Sequence, residues 1–258
     1  MGFRASADAY DQHVGRYTHE LATRLVETAG IEPGQRVLDV GCGPGSLTRV
    51  LAATVGADHV SAVDPSDPFV DACRERVPGA DIRVATAEAL PFEDDSFDAV
   101  LSQLVLNFMT DTAAGVREMR RVARPGAVVA ACVWDYADGM TLLRRFWDAA
   151  ARVDAGGAAT RDEGRVMRFC TPPELDALWT EAGLTAVITG AIDTSARYDD
   201  FDSLWAPLES GVGPSGAYVV ALEPDRRAAL RQELHALLGS PAAPFTLDAR
   251  AWCVTGRA

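Results

Sequence analysis

The chain has 258 residues, 48% of them hydrophobic, and carries a formal net charge of −13. That length suits one large α/β domain with an insertion, or one domain and a small cap, and the acidity argues against affinity built on phosphate neutralisation, so no nucleic-acid partner is expected. All 24 basic residues are arginine, which excludes lysine Schiff-base chemistry and the lysine of a P-loop.

In chain order, residues 11–29 put Val14, Tyr17, Leu21 and Leu25 on one helical face. "RVLDV" (36–40) reads as a short buried strand, "SLTRVLAATV" as a helix and "HVSAVD" (59–64) as a second strand ending in an acid. "PSDPFVDACRERV" reads as a helix capped by Ser66 or Asp67, with Pro68 early. "DIRVATA" is a third strand and "FDAVLSQLVL" opens a fourth. "DTAAGVREMRRVARPGA" is a helix capped by Asp111 and ended by Pro125-Gly126, and "AVVAACVW" is a fifth strand. Strands alternating with helices at this spacing predict a parallel sheet with right-handed crossovers.

Beyond residue 136 the pattern loosens. "GMTLLRRFWDAAARV" (139–153) is amphipathic, and "DAGGAATRDEG" reads as loop. "TPPEL" opens a helix with Thr171 as cap and Glu174 completing a capping box. "TAVITGAI" is a sixth strand. "SGVGPSGAY" reads as a glycine-rich lid or a linker, "EPDRRAALRQELHALL" as a helix and "FTLDARAWCVTGRA" as a seventh strand. The five cysteines form no C-x-x-C pair, so neither a metal site nor a disulfide framework is expected, and a reducing cytoplasm fits. No apolar run approaches the ~18 residues of a membrane span, and no membrane partner is expected.

The most informative stretch is "VLDVGCGPGS" (37–46). Gly41, Gly43 and Gly45 are spaced G-x-G-x-G, not the G-x-G-x-x-G of a dinucleotide turn, and Ser46 stands where that pattern has its third glycine. A strand, a glycine turn and a helix form a ligand-binding edge, where bare backbone approaches the ligand and helix N–H groups face a negative group. Asp64, ending the second strand, suits the two hydroxyls of a ribose. Together they call for an adenosine-like ligand without a dedicated pyrophosphate site.

"VLDVGCGPG", "AVDPS", "ATAEALPFEDDSFDAVLSQLVLNF" and "REMRRVARPGAVVAACVW" together resemble a class I S-adenosylmethionine-dependent methyltransferase, of the bacterial small-molecule branch related to the quinone-biosynthesis enzymes. The resemblance is strong over residues 35–135 and looser beyond. It implies a Rossmann-like, seven-stranded, mostly parallel sheet with helices on both faces, a C-terminal antiparallel strand and an inserted cap. It divides the chain into a helical cover (1–34), a cofactor core (35–135) and a substrate side carrying the last two strands (136–258).

The resemblance also implies that Asp39 and the loop Gly41, Cys42, Gly43 and Gly45 hold the methionine end of the cofactor. Asp64 takes the ribose, Pro65 and Ser66 shape the adenine edge, and Thr86, Ala87 and Glu88 flank the adenine. Thr86 stands where the family often has Asp or Asn, so a backbone N–H at Ala87 or Glu88 is the substitute donor. Gln103 and Leu104 lie beside the sulfonium, while Tyr10, Arg16 and Tyr17 cover the cofactor, Arg16 being a candidate partner for its carboxylate.

In-line methyl transfer needs alignment and water exclusion more than strong acids or bases, and a base helps only where the acceptor must lose a proton. No catalytic residue is assigned. His13, Asn107 and Asp135 are candidates on the acceptor side, Asn107 for orienting only, with Trp134 and Tyr136 as an aromatic wall. The expected activity is methyl transfer to O, N or C of a small molecule by a monomer or homodimer, without metal. Its rivals are a non-catalytic binder of the same cofactor and, disfavoured by the glycine spacing, a nicotinamide-dependent dehydrogenase.

Overall fold

The protein is described here by a computed structural model covering residues 15–242 and 244–258. Helix α1 (Gly15–Ala29) buries Tyr17, Leu21, Leu25 and Ala29, one face at helical spacing. The alternating unit follows: β1 (Val37–Val40), α2 (Ser46–Val55), β2 (Val60–Asp64), α3 (Asp67–Arg76), β3 (Asp81–Val84), β4 (Phe97–Gln103), α4 (Thr112–Val122) and β5 (Ala123–Trp134). Then come α5 (Thr141–Val153), two short helices α6 (Ala155–Ala159) and α7 (Glu163–Val166), α8 (Pro172–Glu181) and β6 (Thr185–Tyr198). Helices α9 (Phe201–Glu209), α10 (Gly213–Ala221) and α11 (Pro224–Leu237) precede β7 (Phe245–Arg257).

The sheet has seven strands in the order β3-β2-β1-β4-β5-β7-β6. Strands β1 to β5 are parallel, and β7 runs antiparallel between β5 and β6. Apolar cores lie on both faces, which is why β1 and β2 are buried throughout and read as continuous apolar runs. Along β5 the faces alternate: Val128, Ala130, Cys132 and Trp134 join the core with α1 and α5, while Val129, Ala131 and Val133 join the core with α4 and α8. Chain order reverses between β1 and β4, so the loops after these neighbours diverge and open a crevice at their carboxyl ends. Among the described residues no helix is long and apolar enough to cross a membrane.

Several boundaries differ from the sequence reading. Helix α4 is capped by Asp111, which accepts from Ala114 N, but it ends at Val122, and Pro125-Gly126 lie inside β5. Proline disfavours helical geometry in the residue before it, and Ala123 is already extended. At α8 no capping box forms; Glu174 Oε2 accepts instead from the Thr171 hydroxyl and from Cys170 N–H. "DAGGAATRDEG" is not loop throughout but carries α6 and the first half of α7. Part of "SGVGPSGAY" is neither linker nor open lid: it begins α10, with Pro214 in the first turn, where its missing N–H is harmless.

Candidate active site

The loop after β1 is fastened to β2: Gly41 N–H and Cys42 N–H both donate to Val63 O, at 2.8 and 2.9 Å. All three glycines have positive φ, but for different neighbours. A Cβ on Gly41 would lie 2.6 Å from Val105 Cγ1, and one on Gly45 would lie 2.9 Å from Cys73 Sγ. A Cβ on Gly43 would meet nothing within 4 Å. Two glycines therefore admit protein neighbours, and the middle one alone faces open space. Leu104, next to Val105, also holds a left-handed backbone (φ 62) and donates its N–H to Cys132 O at 2.8 Å.

A cavity of about 640 Å³ opens at this crevice. One end is lined by Gly41, Cys42, Gly43, Asp64, Pro65, Ser66, Thr86, Ala87, Glu88, Gln103 and Leu104, so eleven residues named from sequence converge on it. Asp64 Oδ2 accepts from Gly43 N–H and Oδ1 from Ser66 N–H, each at 2.9 Å. Each oxygen keeps a further lone pair. Burial raises the Asp64 carboxyl, and the Ser66 and Gly43 N–H groups oppose the shift. The Glu88 side chain turns to the chain itself, where Oε1 accepts from Thr110 and Asp111 N–H. Burial would raise its carboxyl, but these backbone donors, Asp111 first, bring it below the usual range.

Two buried acceptors beside the glycine loop lack donors. Asp39 is fully buried; Thr48 Oγ1 donates to its Oδ2 at 2.7 Å, while Oδ1 has no partner among the described residues. Gln103 Nε2 donates to Thr18 O at 3.1 Å, and its Oε1 is likewise unpartnered. Orphaned buried acceptors are costly and uncommon, so each of these oxygens suits a donor-rich cation. An α-ammonium for these two, a ribose diol for Asp64 and bare backbone at Gly43 match the parts of S-adenosylmethionine, and the residues present fit that group.

The other end of the cavity is formed by Trp134, Tyr136, Leu143, Glu163 and the Val212–Ser215 turn of α10. Glu163 was not singled out from sequence; nothing in "RDEG" marks it, because only the packing of α7 against α5 brings it here. Phe69, Phe108 and Met109, also unanticipated, line the cavity from the loops and helix start around it.

Four described residues named from sequence for the cofactor do not line the cavity. Gly45 packs on Cys73, and Asp39, fully buried near the end of β1, is not among the lining side chains. Tyr17 hydrogen-bonds Tyr198 through the two hydroxyls at 3.2 Å and stands edge-on behind Trp134, 5.9 Å between ring centroids. Arg16 donates to Arg197 O and Ser203 O and stacks over Tyr198, turning toward β6 and α9. Of the acceptor-side candidates, Asp135 is spent on the 135–140 turn, accepting from Asp138 N–H, and does not line the cavity. Asn107 lies behind Tyr136, donating to its hydroxyl at 3.4 Å. Tyr10 and His13 lie outside the described residues.

A family model described as a methyltransferase domain matches residues 38–131. The demethylmenaquinone methyltransferase of Clavibacter sepedonicus is 37% identical over 202 residues, covering 76% of this chain and 81% of that protein. The malonyl-[acyl-carrier protein] O-methyltransferase of Halorhodospira halophila is 35% identical over 191 residues, 70% of this chain but 59% of that protein, so the match spans less than two thirds of that relative. A structure described as a SAM-dependent methyltransferase from Thermotoga maritima shares the fold, with a TM-score of 0.55 at 18% identity over 95% of this chain and 90% of that one. The glycine loop, the buried acceptors and a similarity that spans 76% of this chain converge: the chain belongs to the class I S-adenosylmethionine-dependent methyltransferases, related to those of quinone biosynthesis.

Proposed function

We propose that this methyltransferase acts on O, N or C of a small, largely apolar molecule, held against Trp134, Tyr136, Leu143 and α10 while the cofactor occupies the Gly43–Asp64 end. The observation that carries the reading is the continuity of the two ends: one cavity runs from the glycine loop to an aromatic wall. In this reading Asp39 and Gln103 accept from the methionine ammonium, Asp64 takes the ribose hydroxyls, and Pro65, Ser66, Thr86, Ala87 and Glu88 border the adenine. The bound cofactor supplies a sulfonium methyl that is already electrophilic. The chain's part is to fix its direction and keep water out. Alignment of this kind is worth several of the ~7–11 kcal/mol available to well-oriented reactants. The names of the relatives above offer two acceptor types, a quinone-like ring and a malonyl group on a carrier protein; the aromatic wall of Trp134 and Tyr136 favours the ring.

The proposal includes a monomer or homodimer working in the cytoplasm without nucleic acid, in keeping with the net charge of −13 and five buried free cysteines. The deciding experiment incubates the protein with methyl-labelled S-adenosylmethionine and a fractionated metabolite extract. Label is expected in a low-molecular-weight product. Tight binding of S-adenosylhomocysteine without labelled product would reduce the protein to a binder, and label confined to protein or RNA would overturn the small-molecule reading.

A further inference from the structure

Glu163 is a buried carboxylate, 3% exposed, in the acceptor end of the cavity. The Trp147 indole N–H donates to its Oε2 at 2.9 Å. Trp147 is itself wedged against Phe146 and, from α10, Tyr218, with ring centroids 5.0 and 5.3 Å away. The neighbouring arginines are occupied elsewhere. Arg144 makes a two-pronged contact with Asp162, at 3.1 and 2.9 Å, and Arg165 also pairs with Asp162. Among the described residues no cation pairs with Glu163. A lone buried carboxylate held by one neutral donor is an expensive arrangement for structure alone.

We propose that Glu163 is the proton acceptor of the reaction and that the methyl acceptor is therefore a neutral protic group, a phenol-type hydroxyl or an amine, rather than a carboxylate. The inference rests on the methyltransferase reading above and deepens it. As the acceptor's O or N bonds to the methyl carbon, its proton passes to Glu163, and the pair of the breaking C–S bond stays on sulfur. Glu163 then returns the proton to solvent. An acceptor arriving as an anion has no proton to give and is repelled by this carboxylate.

The electrostatics agree. Burial, then the charge of Asp162, raise the Glu163 carboxyl to about 7 against the pull of the indole N–H. That value suits a general base near neutral pH. The other titratable groups around it are Asp162, which pairs with Arg144 and Arg165, the Tyr136 phenol on the same cavity wall, and Cys170. The Cys170 thiol is pushed up to about 12 by burial and by the carboxylates of Glu174, Glu163 and Asp135, so it carries no charge at neutral pH.

The test uses the full chain with ¹³C-carboxyl glutamate, wild type against E163Q and W147F, saturated with S-adenosylhomocysteine. One carboxyl resonance titrating near pH 7 is expected in wild type and absent from E163Q. In W147F it should move to higher pH, because the indole N–H favours the charged form; a merely structural Trp147 would leave it in place. E163Q should bind S-adenosylhomocysteine within about threefold of wild type. Its methyl transfer at pH 7 should fall on the order of 100-fold or more, with loss of the acidic limb of the rate profile. A Glu163 midpoint in the ordinary carboxylate range, E163Q transfer within threefold of wild type at every pH, or a methyl ester as product would each overturn the inference while leaving the transferase intact. Failure to bind S-adenosylhomocysteine, or binding with no product from either protein, would overturn the reading on which it rests.

Discussion

Asp39 shows how one side chain links stability to ligand. Its burial, before any other cause, lifts the carboxyl to about 7; the Asp64 charge adds to this and the Thr48 hydroxyl opposes it. A carboxyl whose folded-state value exceeds its unfolded one, here 3.8, stabilises the fold most while protonated. That contribution is full below about pH 4 and is lost as pH rises through about 7. Unliganded D39N should therefore show a flatter stability profile between those values, read from urea midpoints. An ammonium arriving beside Asp39 pulls the carboxyl back down, so S-adenosylhomocysteine binding near pH 6.5 should release protons. Calorimetry in buffers of different ionisation enthalpy checks this: wild type should show the release, D39N should not, and a buffer-independent wild-type enthalpy would count against the contact. Asp64 is simpler. D64A should weaken S-adenosylhomocysteine binding by more than ~1 kcal/mol, the scale of a charge-assisted hydrogen bond, and unchanged affinity would remove it from the site.

At the scale of the element, the glycine turn separates two jobs that the sequence shows as one. A Cβ on Gly43 meets nothing, so Gly43→Val should cost the fold only the strain of a branched side chain at φ +51, yet abolish S-adenosylhomocysteine binding. Gly41→Ala should destabilise the fold itself, because φ is +79 and the Val105 side chain fills the space. A double mutant, Gly41→Ala with Val105→Ala, should recover part of that loss in thermal melts. Simple additivity of the two single effects would mean the residues are not coupled. The core from residue 35 to 135 was legible for a physical reason. Parallel strands covered on both faces must be apolar throughout, and ligand-facing turns must drop their side chains, so both write directly into the sequence. What the spacing could not reveal is that Gly41 and Gly45 answer to Val105 and Cys73, contacts set by packing between elements far apart in the chain.

Across the whole molecule, the acceptor end was the least legible. Helix α7 has four residues and α6 five, too short to show a periodicity, so Glu163 had no helical face from which to be recognised. Helix α10 hid behind its Gly-Pro start, and α9, with buried Phe201, Leu204, Trp205 and Leu208, went unread as a helix. Tyr218 ties this region to the core through Phe146 and Trp147. Tyr218→Ala should therefore speed hydrogen exchange in residues 201–221 and shorten the residence time of S-adenosylhomocysteine, with the exchange of β1 to β4 unchanged. Uniformly faster exchange would mean that Tyr218 supports the whole fold instead.

Strands β6 and β7 stay paired to their far ends, with Tyr198 opposite Phe245 and the two rings stacked 5.4 Å apart. Helices α9 to α11, which supply one wall of the acceptor end, thus leave and re-enter the sheet at a single doorway. A segment whose ends meet can be transplanted between related enzymes without re-registering a strand. Evolution can in this way redraw what such a catalyst modifies while its adenosyl grip is inherited untouched.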